Sequence, residues 1–582
     1  MRFRLLIPVL MSAVLPAQAP PSEPAWVTAS NRNAQIVLQV LARYAPENAA
    51  SLGIRGLDDK ISIPSVDRPV LFRRDLGAAL KTLQAKAATE QDPLVKQDLE
   101  IMIEDTDRNI RASAANQKLL LSYANVGRIV FGGIHGLLDD QIDESRRPAA
   151  LVRLKRYAGI EPGYTPTTVL AETVWRESAK DPAKLGPPKS EVEQDLAQID
   201  QYTTGIGLLL EKYKMKDYQS AYAKLRDQLT EYEGFVRKEV LPKAREDFRL
   251  PPELYQIRLE NAGVDFTAAE LVQLAHSGFN EIQAEMQPLA VKVAKEHNFP
   301  SSDYRDVVRA LKKDQLTADS TMPVYHKTLS DIEAIIKREH LVTLPDRPAI
   351  VRIASAAETA EQPAPHMRPP PLLNNHGERG QFVLPGGTTG ANGKQLKYDD
   401  FTFAAAAWTL TAHEARPGHE LQFDTMVERG VSEARAIFAF NSTNAEGWGL
   451  YSEWMMYPYM PDDAKLISLQ LRLLRAARAF LDPELQMGKV TPAQAMQILQ
   501  NDVVLSEAFA TEEVDRFTFR SPGQAVSYYD GYLRMRQLRA DTEKAMGSKF
   551  NVQRFHDFIL DQGLLPPALL RKAVTEAFVP RG

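Results

Sequence analysis

The stretch DDFTFAAAAWTLTAHEARPGHELQ, residues 399–422, decides the reading of this chain. Its alanine-rich part, opened by aspartate, predicts a helix from Asp400 to about Arg416. His413 and Glu414 lie near the end of that helix, and His419 follows six residues after His413. The nearest pattern with a mechanism is H-E-x-x-H, in which two histidines four apart share a helix face, bind zinc and flank a glutamate base. A step of six on a straight helix leaves the second histidine roughly 120° round from the first. Pro417 removes a backbone donor and Gly418 admits conformations that other residues avoid. A break at Arg416-Pro417-Gly418 could therefore return His419 to the side of His413. HEARPGH also reads as a helix end, with Pro-Gly as terminator and a histidine suited to the helix dipole. Spacing alone leaves both readings open.

A second cluster lies downstream. NAEGWGLYSEW, residues 444–454, places Glu446 27 residues after His419 and Glu453 seven after Glu446. Seven helical steps bring the two glutamates to within roughly 20° of one face. Gly447 and Gly449 leave room for close backbone approach, while Trp448 and Tyr451 supply bulk. A glutamate on a separate helix is a usual third ligand of a catalytic zinc bound by two histidines. The surroundings are too apolar for a plain solvated acidic face.

Upstream, the texture changes between about 341 and 399. Eight prolines fall between Pro345 and Pro385, and two short β-like runs stand out, AIVRIA (349–354) and QFVLP (381–385). EQPAPHMRPPPLLNNHGERG between them cannot be helix. A loop of this kind just before the chemical segment favours a functional role over disorder. His366 and His376 in it could contact substrate, though loop histidines are more often incidental. His135, in an apolar stretch between glycines, reads as a buried or loop histidine.

The rest of the chain predicts a mainly α protein. Residues 25–55, 69–88, 90–125 and 191–247 carry apolar residues at three- and four-residue spacing with charges between. Thr267 and Glu270 form a capping box at the head of another long helix.

Composition narrows function. The chain has 582 residues, formal net charge -5, ten histidines and no cysteine. Disulfides, thiolate metal sites, iron–sulfur clusters, cysteine nucleophiles and a lipid-modified cysteine are excluded. Mild acidity spread along the chain speaks against a nucleic-acid binder. Any metal must be held by His, Asp or Glu. Arg2 and Arg4 followed by the apolar run Leu5–Leu15 predict a signal peptide, ending at Ala17 or Ala19, and so a periplasmic or secreted protein. No later stretch is long and apolar enough to predict a membrane span in the mature chain.

Three patterns in order make a family resemblance. HEARPGHELQ (His413–Gln422), EGWGLYSE (Glu446–Glu453), and EVDRF (Glu513–Phe517) followed by PGQAVSYYDG (Pro522–Gly531) resemble the bacterial family catalogued as "domain of unknown function 885". Phe517 stands where tyrosine is common. That family in turn resembles gluzincin-type helical zinc metallopeptidases. The resemblance implies a large helical fold with a small β element before the zinc-binding helix and a deep central cleft. The expected organisation is a signal peptide at 1–19, an N-terminal helical region at 20–262 and a catalytic helical region at 263–582, as one continuous body. It also implies one Zn2+ held by His413, His419 and Glu446, with Glu414 as general base. Glu420 makes a second His-Glu pair but is not read as the base.

On this reading Tyr528 is the candidate oxyanion donor, with Tyr529 as competitor and an aromatic pair packed in a helix as the alternative for both. Glu453 would orient a histidine ligand from behind, and Gln422 would support a ligand or touch substrate. Arg516, Arg520, Arg536 and Arg539 cluster near the tyrosines. One of them could bind a substrate carboxylate, and Arg516 is the one carried as a candidate, although surface arginine is the expectation for each. The function expected is an exported zinc-dependent peptidase acting on short peptides. The alternatives are a periplasmic peptide- or solute-binding protein with a non-catalytic site, and a metal-dependent hydrolase of other amides or esters. Oligomeric state is not readable from the sequence.

Overall fold

The computed structural model describes residues 24–264, 267–362, 364–385, 388–389, 395–396 and 398–581. The leader expected at 1–19 lies outside the described residues. Three- and four-residue apolar spacing gives helices, as read. The first runs are Ala25–Tyr44, Arg68–Ala87 and Pro93–Leu119. Asp92 caps the third by accepting from the backbone N–H groups of Leu94 and Val95. The run expected at 191–247 is divided into helices Lys189–Lys212 and Gln219–Phe235. The turn between them places Lys214 and Asp217 at φ 51° and 55°, a reversal that lets both helices bury their apolar faces in one core. The Thr267–Glu270 capping box heads helix Ala268–His297.

Both β-like runs are strands. Ile350–Ile353 (β1) pairs in parallel with Gln381–Leu384 (β3), Ile350 opposite Gln381 and Ile353 opposite Leu384. His366–Arg368 (β2), inside the Pro-rich segment, adds an antiparallel third strand to β3. Nothing in the sequence announces β2, because three residues are too few to show alternation. β3 is buried throughout, and the sheet ends shortly before helix Ala404–Leu410.

The largest hydrophobic core draws on the first three helices and on elements as far as Phe578. A second core gathers the helices between Val126 and Val240. Helix Asp462–Gln486 runs through the main core with nearly every side chain buried, the charged Arg472, Arg475, Arg478 and Asp482 included. It packs on helices Ala268–His297, Ala404–Leu410 and Ser527–Met546. Among the described residues no helix is long and apolar enough to cross a membrane.

Candidate metal centre

Helix Ala404–Leu410 widens into a π-helical turn over Thr411–Ala415, which carries His413 and Glu414. Such widened turns recur at functional sites. Arg416 is then extended (φ -122°, ψ 134°), and a new helix begins at His419. A Cβ on Gly418 would lie 1.8 Å from the His413 carbonyl oxygen, so only glycine lets the chain fold back this tightly. The break brings the imidazoles of His413 and His419 to 4.7 Å between ring centres, edge to face.

The neighbours of the break hold it. Arg416 donates to both Glu420 oxygens (2.9 and 3.2 Å) and to Glu333 (2.6 Å), and Arg347 also donates to Glu420 (2.6 Å). Glu420 is fully buried between these two arginines, which leaves it no part as a base. Trp448 donates its indole N–H to the Pro417 carbonyl at 2.9 Å. Gln422 donates to Asn444 at 3.0 Å, tying the His419 helix to helix Ser442–Met456. Gln422 is thus a brace between the helices of His419 and Glu446, and it does not line the cleft.

Glu446 arrives on helix Ser442–Met456, which Asn441 caps through the Asn444 N–H. Its Oε2 lies 3.3 Å from His413 Nε2 and 3.2 Å from His419 Nε2. Ligand atoms of the three residues all lie within 4.8 Å of one another. Tetrahedral zinc with bonds of about 2.0–2.1 Å sets its ligand atoms ~3.3 Å apart, so both His–Glu446 separations match that ion and the donor types suit it. Gly449 makes the fit possible, since a Cβ there would come within 2.6 Å of the His413 ring.

Glu453 accepts from His413 Nδ1 at 2.7 Å and from Thr409 at 2.7 Å. This orients the ring and leaves Nε2 facing Glu446 and His419. Glu414 Oε1 is 4.0 Å from His413 Nε2. Burial alone would depress His413, but the Glu446 and Glu453 carboxylates outweigh it and raise it to about 9. Burial alone would raise Glu446, but His413 and His419 hold it well below the usual carboxylate range. Three carboxylates, Glu414, Glu446 and Glu453, surround the two imidazoles, a donor set that could hold a cation.

The cluster opens on a cleft of about 920 Å³. His413, Glu414, His419, Glu446 and Tyr528 line it, and so do His135, His366 and the Pro-rich residues Pro369–Pro371. The Tyr528 ring lies nearly parallel to His413 at 6.4 Å, and its hydroxyl is 3.4 Å from an Arg516 nitrogen. Tyr529 turns the other way, its hydroxyl against Gly278. His135 stacks on Phe131 and meets Glu358 at 3.1 Å. His376 meets Arg55 away from the cleft.

The four arginines near the tyrosines part company. Arg520 bonds Gln194, Arg536 stacks on Trp454, and Arg539 bonds Glu543. Arg516, expected at the surface, is instead largely buried and lines the cleft, because its helix end turns inward beside Tyr528. Arg475 and Arg478 line the same wall and were not foreseen. Their signal is RLLRAAR, residues 472–478, with arginines every third residue on a helix otherwise apolar.

Known proteins agree with the fold. A family described as "Bacterial protein of unknown function (DUF885)" matches residues 46–574. A candidate lipoprotein of unknown function from Shewanella oneidensis superposes with TM-score 0.71 at 18% identity, covering 95% of this chain and 100% of its own. A candidate lipoprotein from Colwellia psychrerythraea does so with TM-score 0.73, 18% identity and the same coverage. No curated protein matches.

Proposed function

The chain belongs to the DUF885 family, and we propose that it is an exported zinc-dependent peptidase that hydrolyses short peptides. One observation carries the reading. His413, His419 and Glu446 converge on one point of the cleft wall with Glu414 beside them. A binding module has no use for a carboxylate so placed.

When bound, zinc would supply an acidified water and a Lewis acid for the substrate carbonyl. Glu414 takes the proton of the attacking water and passes it to the leaving amine. Tyr528 donates its hydroxyl to the carbonyl oxygen as that oxygen gains charge. Arg478, 4.4 Å above the Tyr528 ring, and Arg516 beside its hydroxyl favour that charge. Glu453 keeps the His413 ring in register. A site set in a cleft wall favours short, extended peptides over folded chains. The basic and apolar N-terminus, together with relatives described as candidate lipoproteins, supports export.

The test is elemental analysis of the purified protein and a peptide screen with wild type and Glu414→Gln. One zinc per chain, with hydrolysis lost by at least ~100-fold in the variant, is expected. A metal-free protein whose hydrolysis survives His413→Ala would overturn the reading.

A further inference from the structure

The arginines on the cleft wall are not equally occupied. Arg478 donates to both oxygens of Glu513 at 2.6 Å and is satisfied. Arg475 is 6% exposed, gives one nitrogen to the Leu471 carbonyl at 3.1 Å, and stands 3.6 Å from Glu453. Its Nε has no acceptor. Arg516 meets Gln524 and Tyr528 at 3.4 Å, Glu513 at 3.6 Å and Glu512 at 3.7 Å, all long. The nearby carboxylates are engaged elsewhere: Glu453 by His413 and Thr409, Glu513 by Arg478, Glu512 by the Tyr398 hydroxyl. A buried guanidinium N–H without an acceptor, as at Arg475 Nε, is costly, and a carboxylate is the ligand whose geometry fits it and would replace the long contacts of Arg516.

Position says which carboxylate. Arg516 adjoins Tyr528, and Arg475 adjoins the Glu453 that holds His413. A carboxylate bound there is therefore close to the bond that would be cut. Apolar side chains line the same cleft: Leu471 lies one turn from Arg475, Phe401 and Phe509 meet edge to face at 4.9 Å, and Leu410 ends the helix that leads to His413.

We infer that the enzyme works from the C-terminal end of its substrate, with Arg475 and Arg516 taking the free α-carboxylate of the last residue and Phe401, Leu410, Leu471 and Phe509 taking an apolar side chain. This rests on the peptidase reading. Water adds its oxygen to the carbonyl carbon of the last peptide bond, the C–N bond breaks, and the proton goes to the departing amine. The products are one apolar amino acid and a peptide one residue shorter. An aspartate or glutamate side chain offers the same carboxylate, but it would leave the apolar pocket empty.

The experiment compares three N-blocked tripeptides on the zinc-loaded full chain: one ending in phenylalanine as free acid, its C-terminal amide, and the amide with an internal aspartate. The free acid is expected to exceed both amides by at least ~100-fold in kcat/KM, as for a site built around a polar group its ligand must supply. Mass spectra should show loss of the last residue. Calorimetry on Glu414→Gln should show the same order in binding, and Arg475→Gln, if folded by circular dichroism, should narrow it at least tenfold. The acid–amide comparison needs no variant. Equal cleavage of acid and amide, still abolished by Glu414→Gln, removes the C-terminal reading and leaves the peptidase. Preferred cleavage of the aspartyl amide assigns the arginines to a side chain and overturns the proposal. Arginine-dependent binding of the acid without any hydrolysis keeps the subsite and removes the peptidase. Neither binding nor cleavage removes both.

Discussion

His413 is the residue on which the centre turns, because one ring serves two partners. Its Nδ1–H points at Glu453 and its Nε2 at the point shared by His419 and Glu446. Replacing Glu453 by glutamine keeps the shape and removes the charge that orders the ring. Zinc affinity, read by competition with a chelating dye, should fall 10–100-fold while the fold persists. An unchanged affinity would show that Glu453 does not position the ligand. The proton on His413 makes a second prediction. In the metal-free protein its pKa is raised from 6.5 to about 9 by Glu446 and Glu453, against the effect of burial. Its charged form therefore adds stability that is complete below about 6.5 and lost as pH rises through about 9. Zinc needs the neutral ring, so its uptake at pH 7 should release a proton and its affinity should climb with pH up to about 9. Calorimetry in buffers of different ionisation enthalpy reads that proton directly, and buffer-independent heats would contradict it. At this scale the three ligand candidates could be read because they sit in two short patterns. Arg475 showed only in the spacing of RLLRAAR, since its burial comes from the helices that pack on Asp462–Gln486.

At the scale of elements, glycines decide how closely the site's helices meet. Helices Ser442–Met456 and Ser527–Met546 touch where Gly447 faces Gly531. A Cβ on Gly447 would lie 2.6 Å from the Gly531 carbonyl carbon, and one on Gly531 would lie 2.0 Å from the Thr443 oxygen. Backbone cannot swing aside as a side chain can. Alanine for glycine inside a helix ordinarily gains ~0.5–1 kcal/mol. Gly447→Ala should reverse that sign and cost ~1–3 kcal/mol in urea unfolding, as overpacking does. Gly449→Ala meets the His413 ring instead, so it should weaken zinc binding more than it weakens the fold. Equal stability of Gly447→Ala and wild type would show that the helices can separate without loss. The glycines of EGWGLY could be seen as places of close approach, but their partners could not, because Gly531 is distant in sequence. The helical spacing of 191–247 does give helix, but the turn that divides it is hidden for a related reason. Periodicity continues across Tyr213–Tyr218, and only the need of both helices to face one core turns the chain there.

For the molecule as a whole, the question is whether the N-terminal helices stand apart from the proposed metal centre or stand with it. Asp98, fully buried on helix Pro93–Leu119, accepts from Arg435 at 3.0 Å and from Ser30 at 2.6 Å. Arg435 also lies over the Trp26 ring at 4.9 Å and bonds Gln97 at 2.9 Å. It precedes the helix that carries Glu446 by a few residues, so one buried ion pair joins the first helices to the segment of Glu446. The two partners are 337 residues apart, and no local pattern could have paired them. Removing one partner strands the other charge in the core, which typically costs ~3–5 kcal/mol, whereas replacing both by apolar residues is often neutral. Asp98→Ala should therefore lower the urea midpoint strongly, and Asp98→Leu with Arg435→Met should recover most of the loss. Because the first helices and the ligand helices share one core, release of bound zinc and loss of helical signal should move to lower urea together in Asp98→Ala. Zinc release at the wild-type midpoint, with helical signal lost earlier, would mean that the N-terminal helices are an independent shell.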